Sequence, residues 1–239
     1  MNADAASLST SVPVRRDRIF HTGLAVAFLV TTIAGFGPTY FLKEIYHTPP
    51  LSPLLHVHGM VFTCWLLLLL AQSALVASRR VDVHRRLGIA GAVLAAAMIP
   101  LGFLVAIEAA RRGAATPGLT PLSFMVFPIG AVVMFAGFIG AALWNRRKPE
   151  IHRRLIVLGT VSILTPAIAR LPFTGHNPVL ALVLSLLFVV AGMVHDWRTR
   201  RRVHPLYIWG GLIILLSGPG RSAIGQTAAW QAFAQMLVG

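Results

Sequence analysis

The stretch VDVHRRLGIAG, residues 81–91, and the stretch PEIHRRLIVLG, residues 149–159, share one arrangement. An acid and a spacer precede His-Arg-Arg-Leu, and apolar sequence follows. Each copy lies between two apolar runs, so each marks a place where the chain turns back and begins a new hydrophobic segment. A device used twice at such turns points to helical hairpins, with the charges in the turn and the apolar residues in the returning helix.

Working outward, the chain of 239 residues is 56% apolar and carries a formal net charge of +14. Several runs of about 18 or more largely apolar residues can cross a hydrocarbon core of about 30 Å as helices. Seven segments are expected: 20–42, 54–78, 87–109, 121–144, 155–173, 177–195 and 205–219. The expected fold class is all-α, a polytopic transmembrane helix bundle of about seven spans built from repeated helical hairpins. It occupies residues 20–219 between an N-terminal tail (1–19) and a C-terminal tail (220–239). Trp230, Phe233, Met236 and Leu237 among Gln226, Gln231 and Gln235 suit an interfacial helix in that tail. Arg15, Arg16 and Arg18 precede an apolar stretch as in a signal peptide. That stretch is long, and Pro38 follows Gly35-Phe36-Gly37, which predicts a retained helix.

Of the 21 lysines and arginines, 16 fall in the N-terminal tail and in the turns at 79–86, 145–154 and 196–204. The other side holds Lys43, Arg111, Arg112, Arg170 and Arg221. The positive-inside bias places the N-terminus in the cytoplasm and the C-terminus outside. The arginines sit in short runs between apolar segments rather than along one amphipathic face, which argues against nucleic acid as a partner. Cys64 lies beside Trp65 in an apolar run and reads as a small buried hydrophobe. No catalytic triad, phosphate loop or hydrolase signature is present.

The second, fourth and sixth segments end in SRR, NRR and WRTRRR, and the third, fifth and seventh each start just after a histidine: His84, His152 and His204. Arginines at a helix N-terminus face the positive end of the macrodipole, which calls for an anionic companion. Asp82 and Glu150 supply part of it. Lipid phosphate, the propionates of a heme or a quinol headgroup could supply the rest. His84 and His152 enter from different helices at one depth, the arrangement that clamps a heme iron axially. In that reading Arg85 and Arg153 hold propionates. Histidine is plentiful on this side, where His21 and His195 join the three at the turns.

On the other side His56 and His58 open the second segment as HVH. In an extended backbone the pair could bind a metal ion, whereas on a helix the two point about 200° apart. His58, Trp65 and Gln72 recur every seven residues and form one stripe, which makes His58 the better ligand if the stripe faces inward. Glu108 and Arg170 lie near the outer ends of their helices beside apolar sequence, where charges usually face protein or water, and an ion pair between them is expected. His152 and Arg170, 18 residues apart, share one face of the fifth helix unless Pro166 rotates it. Pro100, Pro128 and Pro166 each interrupt a helix.

His58-Gly59, Gln72, His84-Arg85-Arg86-Leu87-Gly88, His152-Arg153-Arg154 and Arg170 resemble an uncharacterised family of bacterial polytopic inner-membrane proteins with an H…Q…HRRLG…HRR…R pattern, over roughly residues 54–173. The hairpins with terminal histidines also resemble cytochrome b561-type membrane electron carriers, although here the histidines stand at helix starts. That second resemblance implies heme b, electron transfer and a quinone or protein redox partner, with His58, His84 and His152 as ligands. The alternative is a cofactor-free membrane transporter or accessory subunit whose His-Arg-Arg turns bind membrane lipids. In it Gln72, Glu108, Arg170 and the prolines mark a pathway or a packing network.

Overall fold

Short polar side chains followed by proline begin several helices, for a common reason. The polar side chain accepts from N–H groups of the first turn, and proline at the first helical position has no N–H to leave unpaired. Ser52 accepts from Leu55 N–H, Thr120 from Ser123 N–H, and Asn177 from Val179 and Leu180 N–H. The computed structural model describes residues 3–239, with side chains from Arg15 onward. Among the described residues nine α-helices follow in order: α1 (Ala3–Phe36), α2 (Pro53–Ala77), α3 (Val81–Arg111), α4 (Pro121–Trp144), α5 (Pro149–Ser162), α6 (Thr165–Ile168), α7 (Pro178–Arg200), α8 (Pro205–Gly225) and α9 (Ala228–Val238). No strand occurs among the described residues.

Among the described residues, five helical segments are long and apolar enough to cross a membrane: Arg15–Phe41, which adds a π-helical turn to α1, and helices α2, α3, α4 and α7. The expected fifth and seventh spans depart from this. The fifth is broken, since α5 stops at Ser162 and Pro166 has no N–H to continue the ladder. The seventh runs past 219 to Gly225 as α8, about 31 Å at 1.5 Å per residue, with Gly218-Pro219-Gly220-Arg221 diluting its apolar character.

The short helix is the centre of the bundle. All six residues from Val157 to Ser162 are buried, and α5 packs against α4, α7 and α8 while the indole of Trp65 on α2 reaches Thr160. A helix apolar or small all round belongs inside, and RLIVLGTVS is such a sequence. Small residues set the spacing, as in other membrane bundles. A Cβ on Gly210 of α8 would lie 2.4 Å from Leu158, and one on Gly159 would lie 2.7 Å from Ile139 of α4. The N-terminal ends of α3, α5 and α8 gather with the C-terminal ends of α2, α4 and α7 at one end of the bundle, called here the basic end. At the opposite end α9 packs on α3 and α4, where Trp230 Nε1 donates to the Leu122 carbonyl and Arg111 donates to the carbonyls of Leu237 and Val238.

Among the glycines the tightest approach is at Gly35 on α1, where an added Cβ would fall 2.0 Å from the carbonyl oxygen of Ala167 on α6. Backbone cannot yield as a side chain can. Gly35→Ala should therefore cost about 1–3 kcal/mol, read as a lower thermal midpoint of the detergent-purified protein. Gly23→Ala, on the same helix with nothing within 4 Å, should leave the midpoint unchanged. Equal midpoints for the two variants would refute this packing of α1 on α6.

Candidate functional site

The basic end holds a closed ionic cluster. Arg154, 1% exposed, donates through Nε to Asp196 Oδ2 at 2.9 Å and through Nη2 to Asp196 Oδ1, while Asp196 is 2% exposed. Its Nη1 turns back to the Glu150 carboxylate at 2.7 Å and the Glu150 carbonyl at 2.5 Å. Arg153 reaches Asp17 at 3.0 Å and Glu150 at 2.6 Å. Arg200 bridges Asp17 (2.6 Å), Asp196 (3.2 Å) and Glu150 (3.4 Å). His195 Nε2 lies 2.7 Å from Asp17 Oδ1 with its ring stacked on Phe20. Three guanidinium groups thus meet three carboxylates contributed by α1, α5 and α7.

Asp17 and Asp196 complete this cluster, and sequence reasoning did not single them out. A signal was present. The chain has only seven acidic residues against 21 basic ones, so carboxylates near the arginine-rich turns are scarce and Asp196 follows a long apolar run.

The two His-Arg-Arg copies are used differently. In the second, both arginines enter the cluster and His152 Nδ1 lies 2.8 Å from the Ala142 carbonyl, to which it must donate. In the first, Asp82, Arg85 and Arg86 are exposed and have no ion-pair partner among the described residues. There the histidine is the engaged residue. With its amide oriented to face complementary partners, Gln72 Nε2 donates to His84 Nδ1 at 2.7 Å and Oε1 accepts from Gly88 N–H at 3.0 Å.

These bonds fix the tautomers and so test the heme reading. An axial imidazole binds through one nitrogen while the other N–H is held by an acceptor. His152 meets this condition in its neutral form, with Nδ1–H on a carbonyl and the lone pair on Nε2. His84 does not, because its Nδ1 accepts from Gln72 and its proton therefore sits on Nε2. Arg85 is exposed and Arg153 is already committed to Asp17 and Glu150, so neither is arranged to receive propionates. As an axial pair these residues do not fit a heme.

At the opposite end the HVH pair lies wholly inside α2, which starts at Pro53. His56 is exposed beside Tyr40 while His58 turns inward, so the extended geometry that would let both hold one metal is absent. No group of three or more potential metal ligands forms among the described residues. The expected ion pair between Glu108 and Arg170 does not form either. Glu108 accepts from the Ser52 hydroxyl at 2.6 Å and lies 3.7 Å from Arg112, which ties α3 to the N-cap of α2.

Arg170 is left with a different setting. Its guanidinium lies over the Phe36 ring at 4.6 Å, donates once to the Pro166 carbonyl at 2.8 Å, and has no carboxylate partner among the described residues. The same charge acts on His58, whose Nδ1 is buried without a hydrogen-bond partner. Because the fifth helix breaks after Ser162, Arg170 and His152 do not share a continuous helical face. The stripe on α2 faces inward: Trp65 is 5% exposed and donates to Thr160 Oγ1 at 3.3 Å, and Gln72 meets His84. Polar groups therefore follow the central helix from Arg170 and His58 through Trp65 and Thr160 to Gln72, His84 and His152.

No family model, curated protein or solved structure matches this chain.

Removing one member of the pair between Arg154 and Asp196 leaves the other charge buried and alone, which costs about 3–5 kcal/mol. Arg154→Met or Asp196→Leu should each strongly lower the thermal midpoint in detergent, and the double variant should recover a substantial part of the loss. Additive losses in the double variant would mean that the two side chains act independently.

Proposed function

We propose that this chain is a multi-pass protein of the bacterial inner membrane, with its N-terminus in the cytoplasm, that binds a small anionic ligand at its outer end and carries it inward. The observation that carries the reading is the unneutralised Arg170, whose charge acts on His58 with its partnerless Nδ1 at the same end of the bundle. Buried arginine heads at the basic end are satisfied by carboxylates of the chain itself. Arg170 keeps donors free, is exposed to whatever reaches that end, and stands just after a broken central helix. Discontinuous helices of this kind form substrate sites in membrane carriers, where irregular backbone is tolerated because it lines a cavity. An anion recognised by Arg170 would accept from its free N–H groups and from a His58 tautomer protonated at Nδ1.

A heme-b redox protein is the second reading; it would rest on Nε2 of a neutral His152 alone, since His84 does not fit as its axial partner. A stoichiometric Soret band in the purified protein would support it and displace the first.

The direct test is thermal stabilisation of the detergent-purified protein by acetate, succinate, sulfate and phosphate, followed by uptake of the most stabilising anion into proteoliposomes. Arg170→Gln and His58→Ala should each abolish the stabilisation and reduce uptake by roughly ten-fold or more, the worth of a lost charge-assisted hydrogen bond. No stabilisation by any of the four, or stabilisation that survives Arg170→Gln, would sink the carrier reading.

A further inference from the structure

A second cleft lies at the basic end, outside the polar track. It has a volume of about 640 Å³ and is lined by Lys148, Glu150, Arg200, Arg202 and His204, with Ile151, Val203 and prolines forming its apolar wall. That volume is within the roughly 300–1,000 Å³ of typical ligand sites. We propose that this cleft binds the phosphodiester headgroup of an anionic phospholipid, held by Lys148, Arg202 and His204.

Charge balance singles out these residues. Arg153, Arg154 and Arg200 neutralise Asp17, Glu150 and Asp196 within the ionic cluster, so Glu150 and Arg200 bring little net charge to the cleft. Lys148 and Arg202 have no carboxylate partner among the described residues and leave the cleft positive. His204 supplies a directed donor. Its Nδ1 accepts from Leu206 N–H at 3.2 Å, so the neutral ring carries its proton on Nε2. Burial, then the charge of Arg154, hold its pKa below the ordinary value, which keeps it in that neutral form. The polar mouth beside an apolar wall matches a headgroup with its glycerol and first methylenes rather than a free ion.

A separate observation sets the depth. Trp144, Trp197 and Trp209, from α4, α7 and α8, are 88%, 55% and 64% exposed, and all lie within a few residues of the two turns that form the cleft. Exposed tryptophans collect at the headgroup level of a bilayer. A basic cleft at that level meets anionic lipid before anything else, with each nearby cation strengthening the attraction.

The test uses the full chain in detergent, titrated with phosphatidylglycerol, phosphatidylcholine or inorganic phosphate and read by native mass spectrometry and thermal midpoint. One phosphatidylglycerol should remain bound, with binding roughly ten-fold weaker in Lys148→Gln/Arg202→Gln. Arg146→Gln/Arg147→Gln removes the same charge from the turn that carries Lys148, at positions outside the cleft lining, and should bind as the unaltered protein does. Equal weakening in both double variants would overturn the site in favour of diffuse attraction. Equal retention of phosphatidylcholine, or displacement by an equimolar amount of inorganic phosphate, would overturn the assignment to anionic lipid. The anion-uptake variants at Arg170 and His58 should leave lipid retention unchanged, so failure here is distinct from failure of the carrier reading.

Discussion

Arg154 binds Asp196 through two N–H groups in a site from which water is excluded, and the placement of the central helix depends on that contact. An arginine at the start of an apolar helix would normally keep its head in the aqueous or headgroup layer. Here the helix it begins is the most deeply buried in the bundle, so the head can remain buried only if protein supplies a counter-charge. Asp196 supplies it from α7, and Glu150 supplies a second carboxylate one turn back on the same helix. Asp196 also accepts from the backbone N–H of His204, so the same carboxylate fixes the turn into α8. One ion pair therefore sets the register of α5 against α7 and the entry of α8. A buried pair of this kind gives little net stability over an apolar replacement, because desolvating two charges costs nearly what their attraction returns. What it gives here is a defined position for a short helix that apolar packing alone would let slide along its axis.

The same reasoning explains why two nearly identical motifs behave oppositely. The copy at 81–91 begins α3, a peripheral helix, so its arginines stay exposed while His84 is turned toward α2 and held by Gln72. The copy at 149–159 begins α5, surrounded on all sides, so its arginines have nowhere to go but inward. Local sequence is shared; the environment decides which member of the motif is used. A repeat in a membrane protein can thus conserve the turn and its charge while distributing different chemistry to each copy.

This also marks the boundary of what the sequence makes legible. Helix positions, cap residues and the inward face of the His58, Trp65 and Gln72 stripe follow from local periodicity and from side chains bonding within a few residues of themselves. The partners of the charges do not. Asp196 lies 42 residues from Arg154 and Asp17 lies 183 residues from Arg200, and nothing local specifies which helices become neighbours. The expected pair between Glu108 and Arg170 failed for that reason: depth was read well enough, but azimuth around the bundle was not, and Glu108 faces the N-cap of α2. The break after Ser162 was visible as Pro166, yet its consequence, a helix too short to span alone and therefore central, required the packed structure.

Charge satisfaction then separates structure from function along one helical path. The α5–α6 segment carries Arg153 and Arg154 at one end and is followed by Arg170 at the other. The first two are neutralised by carboxylates that belong to the fold, and removing those carboxylates would harm packing before it harmed anything else. Arg170 has only a carbonyl and an aromatic face, neither of which cancels its charge. Arg170, unlike Arg153 and Arg154, has no internal counter-ion among the described residues. If Glu108 supplied it, the site would be closed and purely architectural. Because Glu108 is engaged with Ser52 and Arg112, the Arg170 charge is left uncompensated by the described carboxylates at the end of the bundle opposite the basic cluster.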